Sequence, residues 1–250
     1  MLRDEVKGDL GRDYSRHVTC IFGNMLNGDF SLTPPLFTDR RAAGRDLARH
    51  LKRSVDAKNV VVLGLPRGGV PVAYEIAREL AAPLDVFVVR KLGFPGHEEF
   101  AIGAIASGGV RVLNEDAARW YELPAEVLET VTRKEQIELQ RRERAYREGR
   151  PPLSVKGRVV ILVDDGLATG STMKAAVRAV RQLEPARVIV AAPVCAAETG
   201  EALGEIADEV VCPYRPEPFR AVGLWYADFS ETSDAEVTEL LHNVEAAPGV

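Results

Sequence analysis

A chain of 250 residues, 46% apolar and 28% charged, has the composition of a soluble globular protein and is long enough to bury a substantial core. No apolar run approaches the roughly 18 residues of a membrane span. The net charge of −5 gives no general attraction for nucleic acid, so an anionic ligand has to be held by a local basic site.

Residues 1–35 mix charges with isolated apolar residues, show no periodicity and end in Pro34-Pro35. They are expected to form a loosely ordered extension, without the apolar core of a signal peptide. A folded domain is expected over 36–250. From Thr38 as N-cap, the spacing of Ala42, Ala43, Leu47, Ala48 and Leu51 predicts a first helix to about Arg53. Asn59–Leu65 reads as a strand, followed by Pro66-Arg67-Gly68-Gly69 and a helix over 70–80. Two glycines at a strand end let backbone approach a ligand, and an arginine beside them suits a phosphate bidentately. Leu84–Val89 reads as the next strand and runs into Arg90-Lys91, a compact basic site.

Phe100–Ala106 and Val110–Leu113 flank Ser107-Gly108-Gly109, a hairpin signal. A short helix is predicted from Asn114 to about Tyr121, then a long one from Ala125 to about Glu148. The long helix has a thin apolar stripe and i,i+4 pairs Glu129/Arg133, Glu138/Arg142 and Glu143/Arg147. It reads as a solvated helix or, alternatively, as a lid or dimer arm, which leaves a homodimer open.

Val159–Val163 is an unbroken β-branched and aliphatic run of the kind buried on both faces of a parallel sheet. It ends in Asp164-Asp165 and a Gly/Thr/Ser turn leading into a helical Lys174–Leu183. Such a loop turns its N–H groups, with the helix dipole behind them, toward an anion. Two carboxylates beside a phosphate cradle suit a sugar phosphate, whose hydroxyls they can accept from, or a metal steered through water. There is no Gly-Lys-Ser/Thr for a Walker A loop and no Gly-x-Gly-x-x-Gly. Ala186–Pro193 and Asp208–Pro213 read as further strands around a helix at Ala196–Ile206, and a last helix spans Ser233 to Asn243. This alternation implies an α/β fold: an open, mainly parallel sheet with helices on both faces and the strand-end loops on one edge. Tyr214–Phe229 is too rich in prolines and aromatics for a regular element. The three cysteines, Cys20, Cys195 and Cys212, make no metal-binding spacing, which points to reduced thiols and a cytoplasmic location.

Val163-Asp-Asp-Gly-Leu-Ala-Thr-Gly-Ser-Thr-Met173 resembles the signature by which type I phosphoribosyltransferases bind phosphoribosyl pyrophosphate (PRPP), most nearly in its adenine-type form. The resemblance implies transfer of the phosphoribosyl group to a nitrogenous base, purine- or pyrimidine-like, with release of pyrophosphate and use of Mg2+. It places Asp164 and Asp165 on the ribose and, through water, on the metal. Ala168, Thr169, Gly170, Ser171 and Thr172 would bind the sugar phosphate. Arg67, Gly68 and Gly69 would form a pyrophosphate loop, in which the family often uses an unusual peptide conformation. Arg90 and Lys91 would join them on the leaving group. A flap and helical insertion is expected over about 93–150; in its mobile loop His97, Glu98 or Glu99 would handle the acceptor's proton. The hood over about 214–229 would offer Phe219 or Trp225 to the base. Ala168 stands where hypoxanthine/guanine enzymes carry an acid, which argues for adenine-like or orotate-like handling. The partners implied are PRPP and a small acceptor, with no nucleic acid and no membrane. A non-catalytic sensor of PRPP or nucleotide on the same fold is the alternative; the retained Arg67, Arg90, Lys91, Glu98 and Glu99 favour an enzyme.

Overall fold

The computed structural model describes residues 34–53, 55, 59–94, 97–113 and 124–245, without the side chains of 98–101 and 245. The expected short helix over 114–121 and nearly all of the 1–35 extension lie outside the described residues. Every element below lies within Phe37–Val250.

Five short strands form one parallel sheet in the order β2-β1-β6-β7-β8, with β1 at Val60–Gly64, β2 at Leu84–Val86, β6 at Val159–Val163, β7 at Arg187–Ala191 and β8 at Glu209–Val211. Because side chains alternate along a strand, each buried run feeds two cores. Val60, Val62, Ile161 and Ile189 pack on one side, against α1 (Arg40–Leu51), α2 (Gly69–Leu80) and α6 (Asp234–Glu245). Val61, Leu63, Leu162 and Val190 pack on the other, with α4 (Ser171–Arg181) and α5 (Ala197–Gly204). Each such side chain stabilises the fold by about 1.5–3 kcal/mol. The expected α/β architecture, with helices on both faces, is present.

Boundaries shift where local chemistry competes. Helix α1 is capped by Asp39 rather than Thr38, its carboxylate accepting from Ala42 N at 2.7 Å. The strand expected over Leu84–Val89 divides. Phe87 N still donates to Gly64 O, but Val88 N donates to Ser107 Oγ and Val88 O accepts from Ser107 N, so the chain leaves the parallel sheet there. It continues as β3 (Val89–Phe94), antiparallel to β4 (His97–Ala106), which pairs with β5 (Val110–Leu113). The expected two-stranded flap is thus a three-stranded sheet, and the segment expected as a mobile loop is mostly strand. His97 opens β4. This sheet packs against α4 and against the long helix α3 (Ala125–Arg147), with Leu92 and Ile102 fully buried.

Helix α3 is solvated along one face only. The pairs Glu138–Arg142 and Glu143–Arg147 form at 2.8 and 2.9 Å, while Leu139, Tyr146 and Arg147 are buried. Its last turn is fixed by a buried ion pair: Arg147 Nε donates to Asp85 Oδ1 at 2.8 Å and Nη2 to Val86 O at 3.0 Å. Asp85 Oδ2 also accepts from Leu153 N, which ties the end of β2 to the chain beyond the helix.

Candidate functional site

The strand order reverses between β1 and β6: the chain leaves β1 toward β2 and leaves β6 toward β7. Open α/β sheets bind ligands at such a switch point, outside the carboxyl ends of the strands. The loops that leave β1 and β6 therefore face the same crevice. Leu65 N donates to Val163 O at 2.9 Å, which joins the two strand ends.

The Pro66–Arg67 peptide is cis, an unusual conformation of the kind the resemblance implies for this loop. The glycines expected to admit a ligand are required first by packing. A β-carbon on Gly68 would lie 2.0 Å from Asp165 Oδ2, and one on Gly69 would lie 2.5 Å from Val163 O.

Asp164 Oδ1 accepts from the backbone N of Asp165 at 2.9 Å. Burial, and then the neighbouring charge of Asp165, push the Asp164 carboxyl well above its ordinary range. Burial also raises Asp165, against the pull of Arg40, whose Nε donates to its Oδ2 at 2.7 Å. The carbonyl of Asp165 accepts from the Tyr226 hydroxyl at 2.5 Å. Arg40 had no local sequence signal as a site residue, and the hood pattern that includes Tyr226 gave no sign of its contact with Asp165, because each reaches Asp165 from a distant part of the chain.

Beyond the acids, Gly170 sits at φ +65°, and a β-carbon there would meet Thr199 Cγ2 at 2.5 Å. Thr199 Oγ1 donates to Ala168 O, and Leu167 N to Val194 O at 3.0 Å, so the segment after β7 braces the loop. Ala168, Thr169 and Ser171 are exposed. The first turn of α4, from Ser171 through Thr172 to Met173, leaves its N–H groups without intrahelical acceptors and at the positive end of the helix dipole.

The remaining expected residues are less tightly gathered. Arg67 lies at the crevice but is paired with Glu231, and its Nη1 is 3.6 Å from Asp234. Arg90 is bound to Glu135 of α3, through Nε at 2.8 Å and Nη2 at 2.6 Å, and Lys91 is exposed. Among the described residues no hydrogen bond or ion pair links Arg90 or Lys91 to the two loops. The side chains of Glu98 and Glu99 lie outside the described residues. In the segment expected as a hood, Trp225 is buried and its ring centroid is 6.3 Å from that of Phe219, so the two form a packed unit rather than an open platform. The Trp225 Nε1 is buried without a hydrogen-bond partner.

Residues 38–219, which include both loops and both carboxylates, match the phosphoribosyl transferase domain. The chain belongs to that family. Proteins from two strains of Mycobacterium tuberculosis, provisionally named phosphoribosyl transferases, are 50% identical to it over 206 residues. The match takes in 82% of this chain and 46% of theirs, so the chain spans about half the length of these curated relatives. The crystal structure of TT1426 from Thermus thermophilus superposes with a TM-score of 0.75 at 46% identity, over 83% of this chain and 98% of TT1426. At that identity and TM-score the two chains share a fold over the superposed region.

Proposed function

We propose that this chain is a phosphoribosyltransferase that moves the phosphoribosyl group of PRPP to a nitrogenous base and releases pyrophosphate. The observation that carries this reading is the interlock at the switch point, where Gly68 of the loop after β1 packs onto Asp165 of the signature and Gly69 onto Val163 and Asp164. Breaking the bond to pyrophosphate leaves an oxocarbenium-like ribose and gathers negative charge on the leaving group, so the protein's work is positional and electrostatic. In this reading Asp164 and Asp165 accept from the ribose hydroxyls. Thr169, Gly170, Ser171 and Thr172 hold the sugar phosphate with N–H and hydroxyl donors, and Arg67 neutralises pyrophosphate. Arg90 and Lys91 join it on the leaving group once Arg90 exchanges Glu135 for phosphate oxygens.

Among the described residues no group of three or more His, Cys, Asp or Glu converges to hold a metal. Magnesium would therefore be held mainly by the oxygens of PRPP, with Asp164 and Asp165 reaching it through water, and it would draw charge from the leaving group. The methyl of Ala168 exchanges no proton, which favours an adenine-like or orotate-like acceptor over the hypoxanthine/guanine class. Glu98 or Glu99 would then take the acceptor's proton, and the Phe219–Trp225 unit would border the base. Among the described residues no helix is long and apolar enough to cross a membrane; a cytoplasmic site of action is part of the proposal.

The test is release of pyrophosphate from PRPP and magnesium against a panel of purine and pyrimidine bases. Release with at least one base supports transfer. PRPP binding without release for any base would favour the sensing alternative.

A further inference from the structure

We propose that Arg40 is the positioning residue of the ribose site: it holds one oxygen of Asp165 on the protein, leaves the other for a ribose hydroxyl, and couples that orientation to the hood. This rests on the reading of Asp165 as a ribose-binding group. Arg40 is the first residue of α1, placed there by the Asp39 cap. Its guanidinium makes three contacts at once. Nε donates to Asp165 Oδ2 at 2.7 Å, Nη1 donates to Ser230 O at 2.6 Å, and the plane lies over the Phe229 ring at 3.9 Å from its centroid. The side chains of Arg40 and Asp165 are only 12% and 14% exposed, so solvent screens the pair weakly. Gly68 of the pyrophosphate loop lies against the same oxygen, Oδ2, and beside Arg40 Nε.

The two adjacent carboxylates are oriented by different means. Asp164 is fixed by a backbone N–H, whereas the Asp165 carboxylate has Arg40 as its partner. Arg40 gives Asp165 one N–H, on Oδ2, and Ser230 O another, so one rigid guanidinium plane holds the carboxylate oxygen and the 226–230 segment together, which a single ammonium cannot do in the same geometry. Tyr226, three residues before Phe229, fixes the carbonyl of the same residue. The start of α1 and the segment 226–230 thus grip Asp165 at both ends. Any movement of that segment when an acceptor binds would be felt at the ribose carboxylate.

The contacts would also suit a bracket that merely fastens the 226–230 segment to the core, and the experiment separates the two roles. Affinities for PRPP and for inorganic pyrophosphate, each with magnesium, are measured by calorimetry for the wild type, R40Q, R40K, D165N and R40Q/D165N, with thermal melts alongside. The expected result is a loss of PRPP affinity on the order of tenfold to a hundredfold in R40Q, with pyrophosphate affinity unchanged. The double variant should bind PRPP no more weakly than D165N. R40K should recover part of the loss, and if R40Q fails to fold, R40K carries the same comparison, because it keeps the charge and loses the rigid plane that joins Asp165 to Ser230 O. Equal losses for PRPP and pyrophosphate, additive losses in the double variant, or wild-type PRPP affinity in R40Q would overturn the inference. If the wild type binds PRPP and D165N weakens it but R40Q does not, this inference fails alone. If the wild type does not bind PRPP, it falls together with the functional reading.

Discussion

Gly68 and Asp165 lie so close that a β-carbon on the glycine would fall 2.0 Å from Asp165 Oδ2. The pyrophosphate loop and the ribose carboxylate are therefore one packed unit, and a substitution in the first acts on the second. In Gly68→Ala the obstacle is the end of a side chain, which can rotate away from Arg40. In Gly69→Ala it is the backbone oxygen of Val163 at 2.5 Å, which cannot. Gly69→Ala should accordingly destabilise the fold by about 1–3 kcal/mol. Gly68→Ala should lose less stability and at least tenfold in PRPP affinity. Urea unfolding and calorimetry on both variants distinguish the two effects; equal stability losses would count against the geometry.

Asp164 is held with a raised pKa by burial and by the charge of Asp165. The folded state thus binds that proton more tightly than the unfolded chain, whose Asp value is about 3.9. The stability it contributes is present below the unfolded value and is lost as pH rises through the raised folded value. Asp164→Asn should remove this penalty, stabilising the protein at neutral pH by roughly 0.5–2 kcal/mol while weakening PRPP binding. The gain over wild type should shrink as the pH is lowered toward the unfolded value. A gain independent of pH would rule out the electrostatic cause.

Arg67 meets Glu231 and Asp234 before it meets any phosphate. Glu231 is 77% exposed, so the pair is weak, worth at most about 1 kcal/mol. Glu231→Gln should tighten pyrophosphate binding by about twofold to fivefold, and Arg67→Ala should weaken it more than tenfold. Competition titrations with pyrophosphate give both numbers, and opposite signs for the two variants are the expected pattern.

The Arg147–Asp85 pair is a different case because both side chains are buried, at 8% and 7% exposure. Removing one partner leaves a buried charge unpaired, so Arg147→Met should cost about 3–5 kcal/mol in chemical denaturation. A loss under about 1 kcal/mol would mean that solvent reaches the pair.

The parallel strands and the two site loops were legible because their signals are local. An apolar run of Val159–Val163 is buried on both faces whatever lies around it, and Pro66–Gly69 follows its own strand directly. What escaped was set by distant partners. Val88 leaves the parallel sheet because Ser107, far along the chain, captures its backbone groups. Arg90 was legible as a cation beside a strand end, but its pairing with Glu135 depends on where α3 packs. Trp225 was legible as an aromatic in an irregular segment, and its burial depends on the hood folding back onto Phe37, whose N–H donates to Trp225 O. Arg40 and Tyr226 could be found only once α1 and the hood were seen to meet at Asp165.

On the proposed function, the crevice between β1 and β6 binds PRPP through Asp164 and Asp165. The direct measurement is calorimetric titration of PRPP with magnesium into the wild type and into Asp164→Asn/Asp165→Asn. In the wild type, binding is expected to be saturable and to depend on magnesium, and to be lost in the variant at a temperature where its thermal melt shows it folded. Equal affinity in the two proteins would contradict it.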